Sequence, residues 1–218
     1  MPLIDFSVEA RGFAPASIGL ALRTVATCPA AGHRPDARLL CGIGVLTVLP
    51  EDDGSYRFSA DARCLGEGDT VRDLLDWLEP QLPPTQTVVS WDNWGSVPRR
   101  LLALADPARH PGIVAAAADA AGRWRDLPRE HTPHLRQAKA MPLPCFCGPN
   151  ADFEACDAAT PLYLLPVPGI AAEQLIGEAI AGWRTWAAGH GYFDDAEHPA
   201  QIARRALDRW LADQRTPR

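Results

Sequence analysis

Thr87-Val-Val-Ser-Trp-Asp-Asn-Trp-Gly-Ser-Val-Pro-Arg-Arg-Leu-Leu-Ala-Leu-Ala105 compresses a strand, a turn and a helix into one short run. Thr87 to Trp91 is apolar and β-branched, which predicts a buried strand. A polar turn follows. Pro98 suits the first turn of a helix, where its missing N–H is one that has no intrahelical partner anyway. Leu101, Leu102 and Leu104 supply the apolar side of that helix, which is expected to run to Ala105.

Upstream, Val71, Leu74, Leu75 and Leu78 fall at helical spacing within Asp69 to Leu82. Asp69 or Thr70 can cap the start of this helix, and Pro83-Pro84 stops it. Arg38 to Leu49 reads as a strand. Pro50-Glu51-Asp52-Asp53-Gly54 is then a hairpin turn and Ser55 to Ala60 the returning strand. Leu3 to Phe6, a short apolar run carrying Asp5, is expected to be the first central strand, and Arg11 to Pro35, rich in Ala, Gly and Pro, to be irregular. Downstream, residues 113 to 122 predict a helix and Trp124 to Leu127 a short strand. Pro142 to Pro168 is the least regular part, and helices over about 171–188 and 199–212 close the chain. Strands come first and strand-helix alternation follows, so a mixed sheet flanked by helices in one domain over residues 1–218 is the expected class.

Composition narrows the functional classes. With 47% hydrophobic and 22% charged residues the chain is that of an ordinary globular domain. The net charge of -6 argues against coating nucleic acid through bulk electrostatics. It leaves room for a nuclease, because a site that holds divalent cations must itself be acidic. Met1 to Glu9 has neither a basic n-region nor a long apolar h-region, and no uncharged apolar run reaches the roughly 18 residues of a membrane span. The six cysteines lack the spacing of a disulfide scaffold. A cytoplasmic protein with reduced thiols and no membrane association is therefore expected.

Around Trp91 a resemblance becomes specific. The predicted 3′-5′ exonuclease family related to the exonuclease domain of B-family DNA polymerases has a strand ending in Ser/Thr-Trp-Asn-Gly. Phe-Asp-Leu-Pro and a Leu-x-x-Arg-Ala helix come next, and the stretch from Thr87 to Ala105 resembles a shortened version of that element. Leu3-Ile4-Asp5-Phe6-Ser7 resembles the family's opening Phe-Asp-x-Glu-Thr. Thr70 to Leu82 resembles the helix before the second motif, and Arg123-Trp124-Arg125-Asp126-Leu127 its aromatic-x-Asp-Leu step. His134 to Pro144 resembles the segment ending in Gly-Leu-Pro, and Glu173 to Trp183 the third motif, normally Tyr-Cys-x-x-Asp-Val-x-x-Thr.

This resemblance implies an RNase H-like α/β fold of the DEDD superfamily, with a mixed sheet of about five strands and helices on both faces. It also implies 3′-5′ exonuclease chemistry on single-stranded 3′ ends. There, two Mg²⁺ or Mn²⁺ ions about 4 Å apart are held by four carboxylates, activate water and stabilise the charge on phosphate and leaving oxygen. Asp5 matches the first carboxylate and Glu178 the fourth, which makes them the expected metal ligands. Ser7 and Ser96 stand where the second and third belong, and a neutral hydroxyl cannot offset a cation's charge. Glu9, four residues beyond Asp5, and Asp92, four before Ser96, are the candidate substitutes. Trp91, Asn93, Trp94 and Arg99 are candidate substrate contacts, with Ser7 and Ser96 lining the site. Because two acids are missing, a catalytically inactive pseudo-exonuclease that binds nucleic acid or a protein partner competes evenly with an active enzyme.

Three further patterns have plainer readings. His190-Gly-Tyr-Phe-Asp-Asp195 has the His-x4-Asp spacing of exonucleases with a histidine base, yet a surface turn between helices explains it better. His131, His134, Cys145, Cys147 and Cys156 could supply zinc ligands, but Cys-x-Cys departs from the Cys-x2-Cys knuckle, so small buried thiols and surface histidines are preferred over a structural zinc. Trp183, Trp186 and Trp210 recur at helical spacing, which predicts core plugs between the last two helices rather than base-stacking platforms.

Overall fold

A computed structural model of the chain describes residues 13–26, 38–92, 96–119, 122–128, 168–190 and 197–215. Five strands, β1 (Ser17–Ala26), β2 (Arg38–Pro50), β3 (Tyr56–Cys64), β4 (Thr87–Asp92) and β5 (Trp124–Pro128), form one sheet in the order β3-β2-β1-β4-β5. β2 runs antiparallel to both its neighbours, while β1, β4 and β5 are parallel. This is the mixed RNase H-like layout that the resemblance implies.

The central strand is not the expected one. β1 lies inside the stretch expected to be irregular, and both its edges are occupied, by β2 and by β4. Leu3 to Phe6, with Asp5, lies outside the described residues. The strand escapes recognition because only one of its faces is apolar. Ile18, Leu20 and Leu22 point to one side; Ser17, Gly19, Ala21 and Arg23 point to the other.

The apolar side of β1 packs against α1 (Val71–Leu78), α2 (Ser96–Leu104) and α3 (Pro111–Ala118), through Leu74, Leu75, Leu78, Leu101 and Ile113 among others, and Trp124 of β5 joins the same cluster. α1 starts where the sequence predicts. The Asp73 carboxylate accepts from the Thr70 backbone N–H at 2.7 Å and from its hydroxyl at 2.6 Å, which satisfies a donor that the helix leaves without a partner. A short 3₁₀ turn over Glu79–Gln81 extends α1, and Glu79 accepts from the Gly112 and Ile113 N–H groups at the start of α3 (2.6 and 3.0 Å). A carboxylate at a helix N-terminus also meets the positive end of its dipole.

Asp76 on α1 ties the loop before α3 to the same face. Arg109 donates to both its oxygens, each at 2.5 Å. His110, whose Nδ1 accepts the Asp106 backbone N–H at 3.1 Å, donates from Nε2 to Asp76 Oδ1 at 2.9 Å. The Arg109 guanidinium first, and His110 after it, hold the Asp76 carboxyl well below the usual carboxylate range. A depressed folded-state value means that this stabilisation is present above the unfolded carboxylate's value, about 4, and is lost as the pH falls below it. Asp76→Asn should therefore lower the melting temperature at pH 7, and the gap from wild type should close in melts below about pH 4.

The other face of the sheet carries α4 (Pro168–His190) and α5 (Pro199–Arg215). α4 lies almost on the backbone of the sheet. A Cβ on Gly19 would fall 2.6 Å from the Ala179 carbonyl oxygen, and one on Gly44 would fall 2.6 Å from the Leu175 carbonyl carbon and oxygen. Trp183, fully buried, donates from its indole N–H to Ser17 Oγ at 2.9 Å. Trp186 is buried in the same cluster, and Trp210 packs against its edge beside Phe58, with ring centroids 5.9 Å apart. The three tryptophans are core residues, as expected. They fill the space between sheet and helices as well as the space between the helices. Among the described residues, no helix is long and apolar enough to cross a membrane.

Candidate functional site

The sheet forks at the carboxyl ends of its parallel strands. β1 pairs with β4 from Ser17–Thr87 to Leu20–Ser90. Beyond that, β1 continues along β2 to Ala26 and β4 continues along β5 to Asp92. In open α/β sheets the crevice outside the carboxyl ends of the strands is where ligands bind. Here it is bordered by Ala21, Arg23 and Thr24 from β1 and by Trp91 from β4, with α4 on one side and α2 on the other.

Arg23 dominates this region. Its side chain lies on the α4 face and is only 9% exposed, and Glu178, one turn before Gly182 on α4, is 3% exposed. Arg23 Nη2 donates to Glu178 Oε1 at 2.5 Å, and Nη1 donates to Gln174 Oε1 at 2.8 Å. A buried carboxylate needs a compensating charge, and here a guanidinium supplies it. The register between β1 and β2 shifts between Arg23 and Thr24, where Cys41 is passed over, and the Cys41 thiol donates to the Arg23 carbonyl oxygen at 3.4 Å. Such an irregularity re-aims side chains beside a site. After it, Thr24 lies within reach of α2, where Arg100 Nη1 donates to Thr24 Oγ1 at 3.4 Å.

On the α2 side of the fork a second polar group is fully engaged in structure. The Trp124 indole N–H donates to Ser90 Oγ at 2.7 Å, Ser90 Oγ donates to Asp126 Oδ1 at 2.7 Å, and Asp126 Oδ2 accepts the Val97 N–H at 3.3 Å. Asp126 thus fastens the N-terminus of α2 to β5. The two described cysteines are thiols. Burial pushes Cys41 up to about 12, with Cys64 adding to the rise and Arg23 opposing it, and burial also raises Cys64. Neither offers a thiolate for nucleophilic attack or metal binding at neutral pH.

Of the residues that the sequence singled out, Glu178 is at the fork, but engaged with Arg23. Trp91 is 6% exposed, and its Cβ lies 3.6 Å from where a Cβ on Gly182 would sit. It is a buried residue under α4. Ser96 opens α2, and Arg99 is exposed on the same helix. Asp92 ends β4, and its side chain lies outside the described residues, as do Asp5, Ser7, Glu9, Asn93 and Trp94. His131, His134, Cys145, Cys147 and Cys156 also lie outside them. His190 ends α4 with its ring 5.0 Å from that of Trp186 and 6.2 Å from that of Phe13. Burial first, then the charges of His198 and Arg125, lower its pKa.

The described residues do not fit a divalent cation at the fork. No three of their His, Cys, Asp or Glu side chains converge on a point that could hold one. Glu178 Oε1 faces a guanidinium, and positions 21 and 23 offer a methyl group and a positive charge. Arg23 was missed in the sequence because a buried cation has no local signature. The available signal was the alternation of Ile18, Leu20 and Leu22 with Ser17, Gly19, Ala21 and Arg23. No protein-family model matches the chain, and no curated protein or solved structure matches it.

Proposed function

We propose that this chain is a non-catalytic relative of the RNase H-like 3′-5′ exonucleases and uses the fork at the ends of β1 and β4 to bind a single-stranded nucleic-acid end. The observation that carries the proposal is the Arg23–Glu178 pair. The acid that the resemblance assigns to metal binding is held at 2.5 Å by a guanidinium inside the fold. Arg99, exposed, and Arg100, which reaches across to Thr24, provide guanidinium groups on the α2 side, where a phosphate would be recognised by planar donors. The net charge of -6 disfavours coating of a duplex.

Purified protein incubated with Mn²⁺ or Mg²⁺ and 5′-labelled single-stranded DNA or RNA is expected to leave the oligonucleotide at full length, and Asp5→Asn should change nothing. In fluorescence anisotropy the same oligonucleotides should bind, with affinity falling as salt rises, and Arg99→Ala/Arg100→Ala should weaken binding about tenfold. Metal-dependent shortening abolished by Asp5→Asn would return the protein to the active class. Absence of binding to any oligonucleotide would sink the nucleic-acid reading and leave a protein partner as the occupant.

A further inference from the structure

Ala21 and Arg23 sit two residues apart on the α4 face of the central strand, where its pairing with β4 has just ended. Those are the positions at which a strand can direct two side chains into one crevice, since its period is two. The opening motif of the family that the chain resembles is an acid-x-acid pair on such a strand, Phe-Asp-x-Glu-Thr. Leu20-Ala21-Leu22-Arg23-Thr24 has Ala and Arg two residues apart on one face, where that motif has its two acids, and ends in the same Thr.

Opposite them, Glu178 is held at a fixed height, because the α4 backbone comes against Gly19 and Gly44, which have no side chains to hold it off. A carboxylate fixed at that place, 3% exposed, stays ionised only with a compensating charge beside it. Arg23 is that cation, and Gln174 holds the other arm of the guanidinium at 2.8 Å. The assignment builds on the lineage proposed above and does not depend on whether the fork binds nucleic acid.

We infer that the fork is a converted divalent-metal site in which the Arg23 guanidinium is the resident cation, balancing Glu178 where a metal ion would otherwise stand. The Glu178 carboxylate is neutralised while Lewis acidity is lost: a guanidinium can balance a carboxylate but has no open position for water or for a phosphate oxygen. Two substitutions, Ala21→Asp and Arg23→Glu, would bring two carboxylates to the side of Glu178 and remove the guanidinium. Hard divalent ions take such oxygen ligands.

The test uses the full chain and Mn²⁺ alone as the probe. Wild type should show no Mn²⁺ by electron paramagnetic resonance that Glu178→Gln releases. Ala21→Asp/Arg23→Glu should bind Mn²⁺ about tenfold or more tighter than wild type and melt higher with it than in EDTA. Adding Glu178→Gln should remove that gain. Mn²⁺ held by wild type through Glu178, or a folded double variant indifferent to Mn²⁺, overturns the inference.

If the double variant does not fold, Arg23→Ala serves instead. Millimolar guanidinium, but not urea at the same concentration, should raise its melting temperature, because only the cation refills the vacated place. Equal effects of guanidinium and urea overturn the inference. Should that chain also fail to fold, the wild-type resonance measurement decides alone. None of these readouts moves with oligonucleotide affinity, so this inference and the nucleic-acid reading can fail separately.

Discussion

Glu178→Ala is expected to destabilise the fold by about 3–5 kcal/mol, the penalty for leaving one member of a buried ion pair without its partner. Arg23 keeps its hydrogen bond to Gln174 in that variant, but a neutral amide does not balance a guanidinium that is only 9% exposed. Arg23→Ala should be similarly damaging at neutral pH, with one difference. A buried carboxylate can shed its charge by taking up a proton, whereas a guanidinium cannot lose its own. The Arg23→Ala deficit should therefore shrink as the pH is lowered, and the Glu178→Ala deficit should not.

Replacing both together, as Arg23→Met/Glu178→Leu, removes the charges and keeps the volume. It should cost far less than either single loss and could be nearly neutral. Urea unfolding of wild type, Arg23→Met, Glu178→Leu and the double variant closes the cycle. The exposed pair Arg57–Glu51, 3.2 Å apart with side chains 67% and 40% exposed, should give a coupling of about 0–1 kcal/mol at most. If the Arg23–Glu178 coupling were as small as that, the pair would be incidental and the account of the fork would fail with it.

What could be read from the sequence follows from which elements bury one face and which bury two. Arg38–Pro50, Thr87–Asp92 and the helices around Leu74, Leu101 and Trp183 carry unbroken or periodic apolar patterns, and they appear within a few residues of their expected bounds. β1 does not, because the residues it turns toward α4 are small or polar by necessity. Gly19 must be small to admit the Ala179 carbonyl, Ser17 must accept the Trp183 indole N–H, and Arg23 must meet Glu178. A central strand with such a face reads as an Ala- and Gly-rich loop. The same cause hid the site. Glu178 was legible through its helix, but its partner lies 155 positions away in sequence, on a strand that had not been recognised. The resemblance places its first motif at Asp5, and no local pattern points to Ala21 and Arg23.

The closeness of α4 to the sheet leads to the other large effect. Gly44→Ala would bring a methyl carbon to 2.6 Å from the Leu175 carbonyl carbon and oxygen and to 2.8 Å from its Cβ. These are backbone and near-backbone atoms, so no rotamer change relieves the contact and the helix itself must move. Overpacking of this kind costs about 1–3 kcal/mol and occasionally more. The upper end is expected here, because a shift of α4 at Leu175 also displaces Gln174 and Glu178 from Arg23 and the Ala179 carbonyl from Gly19.

Gly177, on the same helix, provides the opposite sign. It is exposed, and nothing lies within 4 Å of where its Cβ would be, so Gly177→Ala should stabilise by about 0.4–1 kcal/mol through the lower entropy of the unfolded chain. Chemical unfolding of the two variants beside wild type measures both. A Gly44→Ala protein as stable as wild type would mean that α4 does not rest on the strand backbone, and the fixed height of Glu178 above Arg23, on which the conversion of the site depends, would have no physical basis.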